Sequence, residues 1–317
     1  MLGRSVVVLL FVRCVHGGEG EGRVGDDDKR RSPDEEKRLS SLMAIAYVSF
    51  GEARFEPLLK VSVATVRGAG AWAGPIYVIT DAACAAPATT IPLLVELNGC
   101  TKKMAYKYFK TLALRLVPET HLFVLYLDLD VVVAAPVART LETLPNVRLW
   151  LRPQQNETAD ERPTILGVTQ APIRSSGGWH GGIALLSRRD SGGCLRAWGN
   201  AFSTVAQKNS DQAALKSVAT SLRPFDEEGS GKPCRFAAID EERTGTAIPG
   251  VFAWPTHTSI EAEEYALFNH FTRTGRLKLK HGITEDDLER AAHFLLSSSE
   301  QDLLSSSEQD LLSSSEQ

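Results

Sequence analysis

The amino-acid sequence predicts an α/β protein built on a single, mostly parallel central sheet flanked by helices. Three observations carry that expectation: an early strand, helix, strand succession from Leu42 to Asp81; an apolar run of strand length that closes on two carboxylates, HLFVLYLDLD; and short apolar runs beyond it that alternate with helical patterns. A strand that returns to its own sheet through a helix makes a parallel pair with a right-handed crossover. With 317 residues the chain can bury a sizeable core, and one large domain with tails fits that length.

The tails differ in chemistry from the middle. Residues 1–17 carry Arg4 and then the apolar run Ser5 to Val12, which reads as a secretory signal; the run is shorter than the roughly 20 apolar residues of a membrane span, so no stable span is expected. The expected location is the secretory pathway, in the Golgi or ER lumen or outside the cell, and the cytoplasm if the leader does not function. Residues 18–39 hold DDDKRR and DEEKR with hardly an apolar residue, so they form a charged flexible stem. The domain spans 40–296, and 297–317 repeat SSSEQDLL, a low-complexity tail whose eight-residue period places no leucine stripe on a helix. Lys and Arg number 35 against 39 Asp and Glu, with no long basic block, which argues against nucleic acid as a partner.

Within the domain, LMAIAYVSFG is a strand ending at a glycine, Glu56 to Arg67 a helix with Leu59, Val63 and Val66 on one face, and GPIYVITDA a second strand ending at Asp81. Thr101 to Val117 reads as one helix, with Ala105, Phe109, Leu112 and Leu116 inward and Lys102, Lys103, Lys107 and Lys110 outward, stopped by Pro118. After the central strand, VRLWLRP and TILGVTQ are candidate strands, and SSGGWHGG is a glycine-rich turn leading into the strand IALLS. Leu195 to Lys208 is a helix containing Trp198 and Phe202, and Asn209 and Ser210 are good helix starters before DQAALKSVA. Arg223 to Gly250 is polar and is expected to loop over the sheet edge, and TEDDLERAAHFLL is a late capped helix.

The chemistry concentrates at His121 to Pro136. On an extended backbone Asp128 and Asp130 point to one side and Leu129 to the other. Two adjacent anions at a dry strand end repel and resist desolvation, which magnesium or manganese relieves through oxygen ligands. Ligands of open α/β sheets bind at the carboxyl ends of the strands, where this pair falls. A solvated turn after a strand is the plainer alternative. Of the five cysteines, Cys14 leaves with the leader; Cys84, Cys100, Cys194 and Cys234 permit two disulfides, and the lack of C-x-x-C spacing argues against zinc. Asn156-Glu157-Thr158 is a glycosylation sequon.

LYLDLDVVV, preceded by YKYFKTLALRLVPE and followed by WHGGIALLSRR and NSDQAALKSV, resembles the D-x-D region and two later motifs of GT-A fold nucleotide-sugar glycosyltransferases, particularly the glycogenin-like retaining family eight. The resemblance implies a GT-A (Rossmann-like) domain that uses manganese or magnesium to move a sugar from a nucleotide diphosphate, UDP by default, to a glycan, protein or small-molecule acceptor. It implies metal ligation by Asp128, Asp130 and His270, with His257 a second candidate for the histidine. Asp211 and Gln212 would act beside the reacting sugar carbon, and Lys110, Gly181, Gly182 and Lys278 would contact the donor. Tyr47, Ser49 and Phe50 match the base-binding region and read equally as core. Two departures stand out: His180 replaces the family's usual asparagine, and two residues separate His270 from Gly275 and Lys278 beyond the family spacing. Two alternatives remain open. LYLDLDVVV also resembles the first motif of haloacid-dehalogenase-like phosphatases, with Asp128 as nucleophile and Asp130 as acid/base, although Asp286-Asp287 falls in a helical stretch and supplies no later strand-end acidic pair. The other is a sugar-nucleotide-binding module without turnover.

Overall fold

The computed structural model describes residues 39–50, 55–82, 86–98, 100–151, 162–169, 179–205, 211–221, 232–239, 251–253 and 266–270. The first strand, β1 (Met43–Val48), is buried throughout and is followed by helix α1 (Glu56–Arg67) and strand β2 (Ile76–Thr80). A short edge strand β3 (Ile91–Leu94) comes next, then α2 (Lys102–Tyr108), a 3-10 turn at Phe109–Leu112, and α3 (Ala113–Leu116). Strand β4 (Phe123–Leu127) leads through a turn into β5 (Val131–Val133), then α4 (Val137–Thr143) and α5 (Pro145–Leu151). The remaining elements are β6 (Ile165–Thr169), β7 (Trp179–Ser187), α6 (Gly192–Val205), α7 (Asp211–Val218), β8 (Ala219–Ser221), β9 (Cys234–Ala238), β10 (Phe252–Ala253) and β11 (Phe268–His270).

Eight strands form the main sheet in the order β3-β2-β1-β4-β7-β6-β9-β8. Only β7 runs against the others: it is antiparallel to β4 and β6, while the remaining pairings are parallel. The mixed α/β fold with a mostly parallel sheet is the fold class the sequence predicts. Side-chain alternation divides the core into two layers. Met43, Ile45, Tyr47, Leu125 and Leu127 face a layer containing α1, β5, α4 and α5, whereas Ala44, Ala46, Val48, Val124 and Tyr126 face the layer of α2 and α6. A smaller sheet, β10-β11-β5, lies beside the first layer, with β5 antiparallel to β11.

Several expectations need correction. VRLWLRP is not read as a strand: Val147 to Leu151 belong to α5, which Pro145 starts, and Val147 and Trp150 continue the buried every-third-residue pattern of Leu141 and Leu144 that precede it, while Arg152 and Pro153 lie outside the described residues. The polar segment Arg223 to Gly250 contains β9, a strand inserted between β6 and β8. Cys234, Phe236 and Ala238 turn toward the α2 layer, and the flanking polar residues hide this short pattern. The helix expected over Thr101 to Val117 breaks into three pieces around the 3-10 turn. The SSGGWHGG turn does not extend to its last glycines, because Gly181 and Gly182 lie inside β7. The helix expected over Leu195 to Lys208 begins earlier, at Gly192.

Among the described residues a disulfide joins Cys194 of α6 to Cys234 of β9, and Cys100 is a free thiol. Tyr47, Ser49 and Phe50 are buried at the end of β1, the core placement. No helix among the described residues is long and apolar enough to cross a membrane. The stem ends before residue 39, because Leu39 is helical and buried in the core; the leader, residues 18–38 and the tail, the capped helix after Thr284, the sequon at Asn156, Cys84, Asn209, Ser210, His257, Gly275 and Lys278 lie outside the described residues.

Candidate active site

The carboxyl ends of β1, β2 and β4 lie side by side, since all three strands are parallel neighbours. β4 ends at Leu127, and Asp128 is the first residue past it. Its N–H donates to the Gly182 carbonyl of β7 at 2.7 Å, and the Val131 N–H donates back to the Asp128 carbonyl at 3.3 Å. Asp128 to Val131 is therefore a turn between β4 and β5, not a continued strand. The side-chain alternation survives the turn: Leu129 is buried in the α1 layer, while Asp128 and Asp130 are half-buried.

Lys110 fills the space beside Asp128. Its ammonium group lies 2.9 Å from Asp128 Oδ1, 3.2 Å from Asp128 Oδ2 and 2.8 Å from Asp211 Oδ2. The sequence placed Lys110 on the outward face of a continuous helix; the 3-10 turn rotates it inward, and its side chain is only 10% exposed. Burial alone would lower its pKa, but the two carboxylates outweigh that and raise it above the ordinary lysine value. Asp211 shows the mirror effect: burial favours its neutral form, and Lys110 overrides this and holds the carboxyl below its ordinary value. Lys107, half-buried on the same helical face, is pushed down by burial, with Asp211 pulling the other way.

Tyr126 completes the cluster. Two residues before Asp128 on β4, it points into the same layer and donates its hydroxyl to Asp128 Oδ1 at 2.8 Å, with the Lys110 ammonium 5.6 Å from its ring centre. Burial, then the fields of Asp128, Asp211 and Asp130, raise the Tyr126 pKa well above its usual value, so the hydroxyl stays a donor. Asp211 is the first residue of α7, where the helix dipole favours a carboxylate. Its carbonyl accepts a 2.8 Å bond from the Trp198 indole N–H of α6. Gly181 lies between: a Cβ there would stand 3.2 Å from Trp198 Cζ2 and 3.6 Å from Asp211 Oδ2. Gln212 is half-buried in the first turn of α7.

The structure thus brings together Lys110, Asp128, Gly181, Gly182 and Asp211, drawn from four separated stretches of the chain. His270 enters through backbone register: its Cα pairs with that of Val131, the residue after Asp130. Sequence reasoning did not assign roles to Tyr126 or Trp198. The period of two that aligns Asp128 with Asp130 also aligns Tyr126, so that signal was present. Nothing local connects Trp198 to Asp211.

The donor chemistry fits a hard divalent cation. The carboxylates of Asp128, Asp130 and Asp211 all act on the Tyr126 hydroxyl, with the ammonium groups of Lys110 and Lys107 as nearby counter-charges. The residues that would hold the ion are Asp128 and Asp130, with His270 at the adjoining strand position. Among the described residues no three such side chains already stand in a cation's coordination shell.

No protein-family model matches the chain, and no curated protein matches its sequence. Among solved structures it is similar to the crystal structure of a glycosyltransferase involved in the glycosylation of the major capsid of PBCV-1, with a TM-score of 0.44 and 14% identity, over 78% of this chain and 98% of that one. A likeness at this level assigns no role to any residue of this chain.

Proposed function

We propose that the chain is a metal-dependent glycosyltransferase that moves a sugar from a nucleotide-diphosphate donor, a UDP-sugar by resemblance, to a glycan, protein or small-molecule acceptor with retention of configuration. The observation that carries this reading is that the D-x-D strand, the WHGG strand and the Asp-Gln helix, three separate stretches of sequence resemblance, converge on one charged cluster at the carboxyl edge of the sheet. A buried disulfide supports the secretory location, since such bonds persist in oxidising compartments.

Each residue has a chemical task in this reading. Asp128 and Asp130 offer oxygen donors for manganese or magnesium, and His270 offers a nitrogen from the neighbouring strand. When bound, the ion supplies Lewis-acid neutralisation of a departing diphosphate. Lys110 keeps Asp211 ionised and oriented, so that its carboxylate faces positive charge growing at the sugar carbon. Gly181, by having no side chain, lets β7 pass close against the Trp198 ring and Asp211 Oδ2, which keeps the Asp211 carboxylate at the edge of the cluster. Gln212 positions donor hydroxyls, and Lys278 adds charge at the phosphates.

The test is nucleotide binding to the full-length protein by thermal shift, with and without manganese. UDP or GDP is expected to stabilise the protein only with the metal present, by ligand linkage. Asp130→Asn is expected to lose this metal-dependent shift and donor hydrolysis together. Full hydrolysis by that variant refutes the assignment. A shift with phosphate mimics and magnesium alone points to the phosphatase chemistry instead.

A further inference from the structure

Helix α1 is not uniformly apolar where it meets the core. Beside the expected stripe of Leu59, Val63 and Val66 it buries two hydroxyl residues, Ser62 and Thr65, with 1% and 0% exposure. Both serve strand β5, the three residues that follow the Asp128–Asp130 turn. Ser62 Oγ donates to the Val131 carbonyl at 2.5 Å, and Thr65 Oγ1 accepts from the Val133 N–H at 3.2 Å. Thr65 Oγ1 also donates to the Ser62 carbonyl at 2.9 Å. Ser62 spends its one proton on Val131, so the 2.9 Å contact between Ser62 Oγ and the Tyr47 hydroxyl has Tyr47 as donor.

We propose that Ser62 and Thr65 are positioning residues that hold the Asp128–Asp130 turn in register with His270. The inference rests on the metal-dependent reading above. β5 pairs with β11 along one edge, with Val131 opposite His270 and Val133 opposite Phe268, and the Ala134 N–H continues that edge to the Leu267 carbonyl at 3.1 Å. The other edge, presented by Val131 and Val133, meets a helix, which has no backbone donors or acceptors to offer sideways. The two hydroxyls replace the missing strand. Positions three apart on a helix are about 5–6 Å apart, close to the roughly 7 Å between alternate residues of a strand, so one helix turn can serve both groups.

The brace matters because β5 is short. A one-residue slip would bring a different residue opposite Val131 and turn every β5 side chain over. All three valines are buried, and the turn carrying Asp130 is attached directly to Val131. Helix α1 thereby sets the backbone spacing between Asp130 and His270.

Direct manganese binding, measured by electron paramagnetic resonance or calorimetry on the full-length protein, tests this without relying on turnover. Ser62→Ala and Thr65→Val are each expected to weaken manganese binding by about tenfold, the lower end of the effect of groups that orient metal ligands. Thr65→Ser keeps the hydroxyl and is expected to restore affinity to within about twofold of the unmodified protein. Tyr47→Phe deletes a buried hydroxyl but leaves the Ser62 to Val131 bond, so it is expected to lower the melting temperature at unchanged affinity. Unchanged affinity in Ser62→Ala and Thr65→Val, alongside a fall in melting temperature like that of Tyr47→Phe, overturns the inference alone. Absence of manganese binding by the unmodified protein overturns the metal reading and this inference with it. Hydrogen exchange provides a measurement that needs no variant: manganese is expected to slow exchange of the Val133 amide, and an unchanged rate overturns the coupling.

Discussion

Replacing Lys110 by Met tests the charged cluster most directly, because it removes the ammonium group and keeps most of the side-chain volume. Lys110 sits 2.8 Å from Asp211 and 2.9 Å from Asp128, with 10% of its side chain exposed against 12% for Asp211 and 21% for Asp128. Loss of one partner from a buried ion pair leaves an uncompensated charge and costs about 3–5 kcal/mol. That is a large part of the 5–15 kcal/mol typical of a folded domain, and for a domain of this size it corresponds to a melting-temperature drop of roughly 6–20 °C. Differential scanning calorimetry at neutral pH is the assay.

The pH dependence fixes the sign. In the unmodified protein Asp211 is held below its ordinary value of 3.8, so its contribution is present above that value and disappears as pH falls through the lower folded value. Without Lys110, burial, the largest influence on Asp211, is opposed only by Lys107 and a backbone hydrogen bond, so the Asp211 pKa is expected to rise. The penalty in Lys110→Met is therefore full at neutral pH and shrinks on acidification, as the carboxyl takes up a proton. Adding Asp211→Asn is expected to recover part of the loss at neutral pH. A variant that melts within about 2 °C of the unmodified protein, a shift worth under about 1 kcal/mol, refutes the view of Lys110 as a buried ionic strut.

Two further outcomes follow from the same geometry. Gly181→Ala puts a methyl group 3.2 Å and 3.3 Å from the Trp198 ring, which cannot swing away because its indole N–H holds the Asp211 carbonyl; the expected cost is about 1–3 kcal/mol in chemical denaturation, with reduced donor turnover, and an unperturbed variant shows the contact to be compliant. The Cys194–Cys234 bond closes a sequence separation of 40 residues, so Cys194→Ser with Cys234→Ser is expected to lose about 4 kcal/mol on the loop-entropy account. Equal denaturation midpoints with and without reductant argue against that contribution.

Much of the sheet was legible in the sequence because its signals are local. Strand β1, helix α1 and strand β2 follow directly from apolar runs and a helical stripe. Asp128 stood out by its position at a strand end and Asp211 through the sequence resemblance alone, and the two occupy one cluster. The misread segments share a cause. VRLWLRP alternates well enough to pass for a strand, and only its packing every third residue onto the core shows a helix. CRFAA is too short to stand out from the polar segment around it, and its identity as a strand comes from pairing with β6 and β8.

The sequence by itself determined the fold class, the order of its principal elements and the carboxylates at the end of β4, since strand and helix periodicity is written over neighbouring residues. The tertiary structure alone decided what balances those carboxylates. The inward turn of Lys110 onto Asp128 and Asp211, the placement of Trp198 against Asp211 and the brace from Ser62 and Thr65 to β5 depend on groups far apart in the sequence, from 13 residues for Trp198 and Asp211 to 69 for Ser62 and Val131 and more for Lys110 and Asp211. Contacts at such separations form only when distant segments pack together, and no short-range pattern encodes which of several lysines or hydroxyls will be buried there.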